Sequence, residues 1–283
     1  MSIVIDHLIH SFANAGKEAF HAVNDVSLTV NEGEFIAVVG HTGSGKTTLL
    51  QHLNALLLPT SGSVTVDGLD TRAKSERKKI RALVGMVFQY PEYQLFADTV
   101  REDIAFGPRN RGDSPEQIDA SVRSSMQAVG LDFDLFSEKS PFELSGGEKR
   151  RAALAGVLAL QPKYIVLDEP MAGLDPIGRA EILQTLEDLR RDTGCAIIMV
   201  SHSMDDVATH ADRILVMHQG SVLMCDTPES VFSHPKELLD IGLSLPEATK
   251  LALLLKQGGV RDVPESICTY SELLDFIRER LSL

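Results

Sequence analysis

The stretch Phe35-Ile36-Ala37-Val38-Val39-Gly40-His41-Thr42-Gly43-Ser44-Gly45-Lys46-Thr47-Thr48-Leu49-Leu50 decides how this chain is read. Its first five residues form an unbroken apolar run, the mark of a strand buried on both faces and so of a parallel sheet. Gly40 to Thr47 then fits GxxxxGK[ST], and the residues beyond it put Leu49, Leu50, Leu53, Leu56 and Leu57 on one helical stripe. A buried strand, a glycine-rich loop and a helix in that order make a phosphate cradle. The glycines let backbone N–H groups converge on phosphate oxygens, and the helix N-terminus adds a positive dipole end. Lys46 is placed to bridge the β- and γ-phosphates of a nucleotide, and Thr47 to ligate Mg²⁺. Gly40, His41, Thr42, Gly43, Ser44, Gly45, Lys46, Thr47 and Thr48 are therefore the candidate nucleotide-binding residues.

A second apolar run, Tyr164-Ile165-Val166-Leu167, ends in the adjacent carboxylates Asp168 and Glu169. Open α/β sheets place ligands at the C-terminal ends of their strands, so the pair falls where chemistry is done. Asp168 suits the Mg²⁺ shell, and Glu169 suits polarising the water that attacks the γ-phosphate. Further strands are expected at Ile3–Ile5, Val26–Val30, Val84–Phe88, Ala196–Val200, Arg213–Met217 and Ser221–Cys225, with helical patterns between them. The fold class is α/β, with a mainly parallel core sheet. Between Gln89 and Leu160 the strand signal disappears and helix starts such as Ser114-Pro115-Glu116 take over, which marks an inserted helical subdomain at about 90–160. The chain divides into a phosphate-binding α/β part at 1–226 and a mostly helical extension at 227–283, with helices around Leu251–Leu255 and Ser271–Leu281.

Composition narrows the classes. The 283 residues are 43% hydrophobic and 24% charged, ordinary for a globular chain, and 27 Lys+Arg against 40 Asp+Glu give a net charge of -13. Such a surface repels nucleic-acid phosphates, so nucleic acid is not an expected partner. The local exception, Arg72 to Arg81, reads as a solvated helix face, with a docking surface as the alternative. Cys195, Cys225 and Cys268 are odd in number and unpaired in spacing, which suits packing residues in a reducing compartment. No apolar run approaches the roughly 18 residues of a spanning helix, so a membrane role is expected to come through partners.

Leu144-Ser145-Gly146-Gly147-Glu148-Lys149-Arg150-Arg151 opens another helix, with Ser145 as its N-cap and two glycines that admit a second backbone. One nucleotide does not need two phosphate-binding helix ends, so the economical reading gives this one to a nucleotide held by another subunit, although the local sequence alone favours an ordinary capped helix.

Taken in order, Gly40–Thr47, LSGGEKRR at 144–151, YIVLDEP at 164–170, AGLDP at 172–176 and IIMVSH at 197–202 resemble the ATP-binding subunit of ABC transporters. The resemblance covers 1 to about 226 and implies a P-loop NTPase fold of the ABC type, with N-terminal antiparallel strands and the helical insert. It implies that Phe12 stacks on adenine, and that Gln89 couples the catalytic and metal site to a membrane partner. It also implies that Ser145, Gly146 and Gly147 contact ATP on the opposite subunit, that Asp175 lies across the dimer interface, and that His202 contacts the γ-phosphate. For Phe12 a place in the core is the alternative to stacking. A narrower resemblance, in GHTGSGKTTLLQHLNALLLPTSG at 40–62, VFQYPEYQLF at 87–96 and SPFELS at 140–145, is to the second, A2-type ATPase of energy-coupling factor transporters. That family implies import of vitamins or metal ions, ATP and Mg²⁺ as cofactors, and a peripheral position on the cytoplasmic face of the cell membrane. Its implied partners are a second ABC ATPase, a membrane T component and substrate-binding S components. Glu148 where Gln is usual, and Met171 where Thr is usual, remove no catalytic group. A conventional ABC importer ATPase shares the catalytic motifs and differs in its partners. A soluble ABC protein acting on nucleic acid would need a coiled coil, zinc cysteines or a second cassette, and an ATP-binding paralogue without hydrolysis would not need Lys46, Asp168, Glu169 and His202 together.

Overall fold

The computed structural model describes residues 1–12 and 20–281; the last two residues of the extension lie outside them. Its strands are β1 (Ser2–Phe12), β2 (Phe20–Asn31), β3 (Phe35–Val39), β4 (Ser61–Val66), β5 (Leu69–Asp70), β6 (Val84–Val87), β7 (Tyr164–Asp168), β8 (Ala196–Val200), β9 (Arg213–His218) and β10 (Ser221–Asp226). Helices are α1 (Lys46–Leu53), α2 (Arg77–Leu83), α3 (Val100–Arg111), α4 (Pro115–Ala128), α5 (Phe133–Phe136) and α6 (Gly146–Leu158). They continue with α7 (Pro176–Thr193), α8 (Met204–His210), α9 (Pro228–Phe232), α10 (Pro235–Asp240), α11 (Glu247–Gln257) and α12 (Tyr270–Leu281). No helix among the described residues is long and apolar enough to cross a membrane.

Two sheets form. The larger runs β10-β9-β3-β8-β7-β6, parallel throughout except for the antiparallel β9–β10 hairpin. Strands β3, β6, β7 and β8 are buried at every position, as unbroken apolar runs with helices on both faces require. The smaller sheet is antiparallel, β2-β1-β4-β5, and packs its apolar face on the same core as α1. Between Tyr90 and Leu160 the described chain is helical without a strand. There α3, α4 and α6 bury Val100, Ile104, Val122, Met126 and Leu154 in a second core under the other face of the large sheet. Past Asp226, helices α9 and α10 extend the core around Ala37, Val39 and Val216, while α11 and α12 enclose a smaller cluster of their own around Ala248, Ala252 and Leu273.

The sequence expectations need three corrections. Strands β4 and β5 fall in a stretch where no strand was expected, yet Val64 and Val66 alternate with polar residues and point into the core. The basic run is only partly helical: α2 starts at Arg77, Arg72 pairs with Asp70 at 3.1 Å, and Arg77 and Arg81 donate to backbone carbonyls. Helix α1 stops at Leu53, so Leu56 and Leu57 lie past its stripe, and Leu56 is exposed.

Among the polar ties between the sheets, one ends on β7. Asp67, in the β4–β5 turn, accepts the hydroxyl of the fully buried Tyr164 at 2.7 Å and pairs with Lys163 at 3.0 Å. Removing the carboxylate leaves a buried hydroxyl unpaired, which costs about 1–3 kcal/mol. Asp67→Ala is therefore expected to lower the denaturant midpoint of the purified chain without changing the slope of the transition; an unchanged midpoint would show that the tie contributes nothing.

Candidate active site

Parallel register brings the candidate residues together. Val38 pairs with Val200, and Val200 with Asp168, while Val87 pairs with Leu167. The C-terminal ends of β3, β8, β7 and β6 therefore stand side by side, and the residues that leave them are Gly40, His202, Glu169 and Gln89. Residues 33 to 162 positions apart in the chain are thus neighbours because four strands end level.

The loop after β3 turns under close constraint. A side chain on Gly40 would come within 2.4 Å of the Met217 carbonyl of β9, and one on Gly45 within 2.2 Å of the Ala22 carbonyl of β2. Ala22 is the residue skipped where His10 pairs with Val23 and Ser11 with His21, a bulge that re-aims its carbonyl toward the loop. The Gly220 N–H also holds the Ser44 carbonyl at 3.1 Å. Both sheets therefore fix the loop. Lys46 is buried and donates from Nζ to the carbonyls of Gly40 at 2.7 Å and His41 at 3.0 Å, folding its ammonium back over the loop it follows. Burial pulls its pKa below the usual lysine value, against the pull of Glu169 and Asp168. The Ser44 hydroxyl is fully buried inside the loop with no partner. A buried unpaired hydroxyl beside convergent backbone donors fits a phosphate oxygen as its partner.

Across the cradle, burial raises the Asp168 carboxyl above its ordinary value, while a hydrogen bond from Thr47 works the other way. Thr47, Asp168 and Gln89 together offer only hydroxyl, carboxylate and amide oxygens, the hard donors Mg²⁺ takes, so the site fits that ion. Glu169 has a left-handed backbone, φ 51°, unusual for a residue with a side chain. Its carboxylate is held from two sides: Gln89 Nε2 donates to Oε2 at 2.9 Å, and His202 Nε2 lies 2.7 Å from Oε1. A carboxylate fixed in this way, at the rim of a cavity lined also by Pro170, Arg179, Ser201 and Ser203, can accept a proton from a water placed beside it.

Other expected residues stand apart from that cavity. Ser145 caps α6 through a reciprocal box with Glu148, 3.3 Å to its N–H and 2.7 Å back from Oε2. A side chain added at Gly146 or Gly147 would meet nothing within 4 Å, so this helix end faces open space. Asp175 caps α7, accepting from Gly178 N at 2.7 Å. Phe12 is 44% exposed at the end of β1, which removes the core reading.

Arg150 was not singled out in the sequence. It is buried on α6, donates to the Ala172 carbonyl at 2.8 Å and reaches Glu92 at 3.4 Å, joining the capped helix to the turn after Glu169 and to the segment after Gln89. Its signal was an arginine on the buried side of the alanine-rich α6. A groove of about 800 Å³ between α4 and α7 is lined by none of the expected residues.

With that geometry in view, residues 23–172 match the ABC transporter family. A protein of Clostridium perfringens called energy-coupling factor transporter ATP-binding protein EcfA2 is 48% identical over 283 residues, covering 98% of this chain and 99% of that one. Its namesake in Symbiobacterium thermophilum is 49% identical over 279 residues, covering 98% and 96%. The solved structure of cbiO1 from Clostridium perfringens, described as part of the ABC transporter complex cbiONQ, superposes with a TM-score of 0.74 at 31% identity, covering 90% of this chain and 98% of that one. A dimeric ATP-binding cassette in a post-hydrolysis state with ADP and Pi gives 0.72 at 28% identity, covering 80% and 98%. Charged hydrogen bonds of the kind Lys46 offers are worth about 1.5–3 kcal/mol, so Lys46→Ala should weaken ATP binding roughly ten- to a hundredfold in an equilibrium titration. Unchanged affinity would remove Lys46 from the cradle.

Proposed function

This chain belongs to the ABC transporter family, as an ATP-binding subunit of the energy-coupling factor type, and on that premise we propose that it pairs with a second ABC ATPase to drive uptake of a vitamin or metal ion. Its activity is ATP hydrolysis coupled to transport. In this reading Gly40 to Thr48 cradle the triphosphate, Lys46 neutralises the β- and γ-phosphates, and Phe12 stacks on the base. Thr47, Asp168 and Gln89 hold Mg²⁺, which when bound supplies charge neutralisation on the phosphate oxygens. Glu169 accepts the proton of the attacking water, and His202 orients Glu169 and meets the γ-phosphate. The observation that carries this is the convergence of Gln89 and His202 on the two oxygens of one carboxylate.

The open end of α6 supports a shared site. Open space surrounds Gly146 and Gly147, and the proposal gives their N–H groups and the Ser145 hydroxyl, with Asp175, to the nucleotide of the second ATPase. Contacts made only when the pair is closed are the differential affinity by which ATP drives closure. Residues 1–226 are taken as the catalytic unit and 227–283 as an appended helical segment.

The membrane partner is assigned to the insert's aromatic face. Tyr90, Tyr93, Phe96 and Phe106 are exposed, with Tyr93 84% accessible, and they pair ring to ring at 5.9 and 4.9 Å. This face begins next to Gln89, so a membrane T component seated on it, with S components bringing the substrate, senses the catalytic carboxylate through one residue. The chain would then sit peripherally at the cytoplasmic face. Affinity purification of the tagged chain from detergent-solubilised native membranes is expected to recover a distinct ABC ATPase, one polytopic scaffold and small membrane proteins. Tyr93→Glu should lose the scaffold and keep ATP binding. Recovery of conventional permeases alone would move the chain to the ordinary importer class.

A further inference from the structure

Behind Phe12 lies a pair of histidines to which neither the phosphate cradle nor the catalytic carboxylate assigns a role. His52, in the last turn of α1, is fully buried, and His10 on β1 is 9% exposed. His52 Nδ1 lies 2.7 Å from the Thr48 carbonyl, and its Nε2 lies 3.0 Å from His10 Nδ1. His10 Nδ1 in turn lies 3.1 Å from the Leu58 carbonyl. A carbonyl only accepts, so Thr48 fixes the His52 proton on Nδ1 and leaves Nε2 bare. Leu58 likewise fixes a proton on His10 Nδ1, and that one N–H serves both the Leu58 carbonyl and His52 Nε2. The His52 ring is neutral in this arrangement, consistent with burial pulling its pKa below the ordinary histidine value.

The chain of contacts has two ends. One is Thr48, in the first turn of the helix that follows the phosphate loop. The other is the Phe12 ring, which His10 meets edge to face at 4.6 Å and 70°, while His10 meets His52 at 4.7 Å and 71°. A half-exposed ring at a strand end would otherwise rotate among rotamers, and ordering it on binding would cost affinity.

We propose that His10 and His52 are positioning residues that hold the Phe12 ring at a set distance from the phosphate loop, so that base and triphosphate are recognised together. This rests on Phe12 being the base-stacking residue. His10 meets the ring and bonds to no residue of the phosphate cradle, so its loss separates two ligands that share a triphosphate.

The test is competition binding to the full-length chain, in Mg²⁺ buffer, by ATP and by inorganic tripolyphosphate. Base–aromatic stacking is worth enough that Phe12→Ala and His10→Leu should each weaken ATP binding about tenfold, with tripolyphosphate unchanged. The double variant should bind ATP no more weakly than Phe12→Ala alone, because His10 acts through Phe12. If the leucine variant does not fold, His52→Gln reads the same split with a smaller loss, about threefold. Equal weakening of both ligands would show that the pair serves only the fold of the loop. A normal ATP affinity in His10→Leu, with Phe12→Ala weakened, would overturn the positioning role and leave the base reading standing. A normal affinity in Phe12→Ala would overturn the base reading itself.

Discussion

The account depends on one constraint, the level ending of four parallel strands. With Val38, Val200 and Asp168 in one hydrogen-bonded row, the chain segments leaving β3, β8, β7 and β6 emerge together at one sheet edge. A slip by one residue would turn every buried side chain to the other face, and both faces of this sheet are buried, so the register is strongly held. The same packing that stabilises the sheet therefore sets Gln89 and His202 against Glu169. The geometry around Glu169 is a consequence of core packing, and the helices supply the rest of the enclosure.

Electrostatics at that edge is unfinished within one chain. Lys46 is buried and folded onto carbonyl oxygens, Asp168 is buried beside Glu169, and Ser44 has a hydroxyl without a partner. Each is a cost in the isolated chain that a phosphate and a divalent cation would relieve, which ties affinity to charge complementarity. The capped end of α6 is the converse: well formed, satisfied through Glu148, and aimed at nothing of its own. Arg150 connects these regions, so the helix bearing Ser145 cannot shift without disturbing the turn after Glu169.

Much of this was legible in the sequence because it is local. The phosphate loop, the Asp168-Glu169 pair and the Ser145 cap are each encoded within about ten residues, and strand burial writes itself as unbroken apolar runs. What the sequence hid depends on distance. Gln89 and Glu169 are 80 positions apart, and only the resemblance brought Gln89 forward. The contact between His10 and His52 has no signal in the sequence, since nothing local says that an N-terminal strand crosses the end of α1. Helix ends were misjudged where tertiary contacts decide them: Arg72 is held by Asp70 in a turn, and α1 gives way after Leu53 although leucines continue. Strand β4 was missed because Ser61-Gly62-Ser63 reads as a turn, yet Gly62 is needed there, since any side chain would strike the His7 carbonyl at 2.1 Å.

The central claim is that the carboxylate held by Gln89 and His202 is the proton acceptor of hydrolysis. Its most direct test is the rate of phosphate release from ATP by the assembled ATPase pair, with the partner's site silenced, comparing the native chain with Glu169→Gln. Loss of a positioned general base predicts a fall of roughly a hundredfold or more with ATP still bound. Release at the native rate would contradict the account.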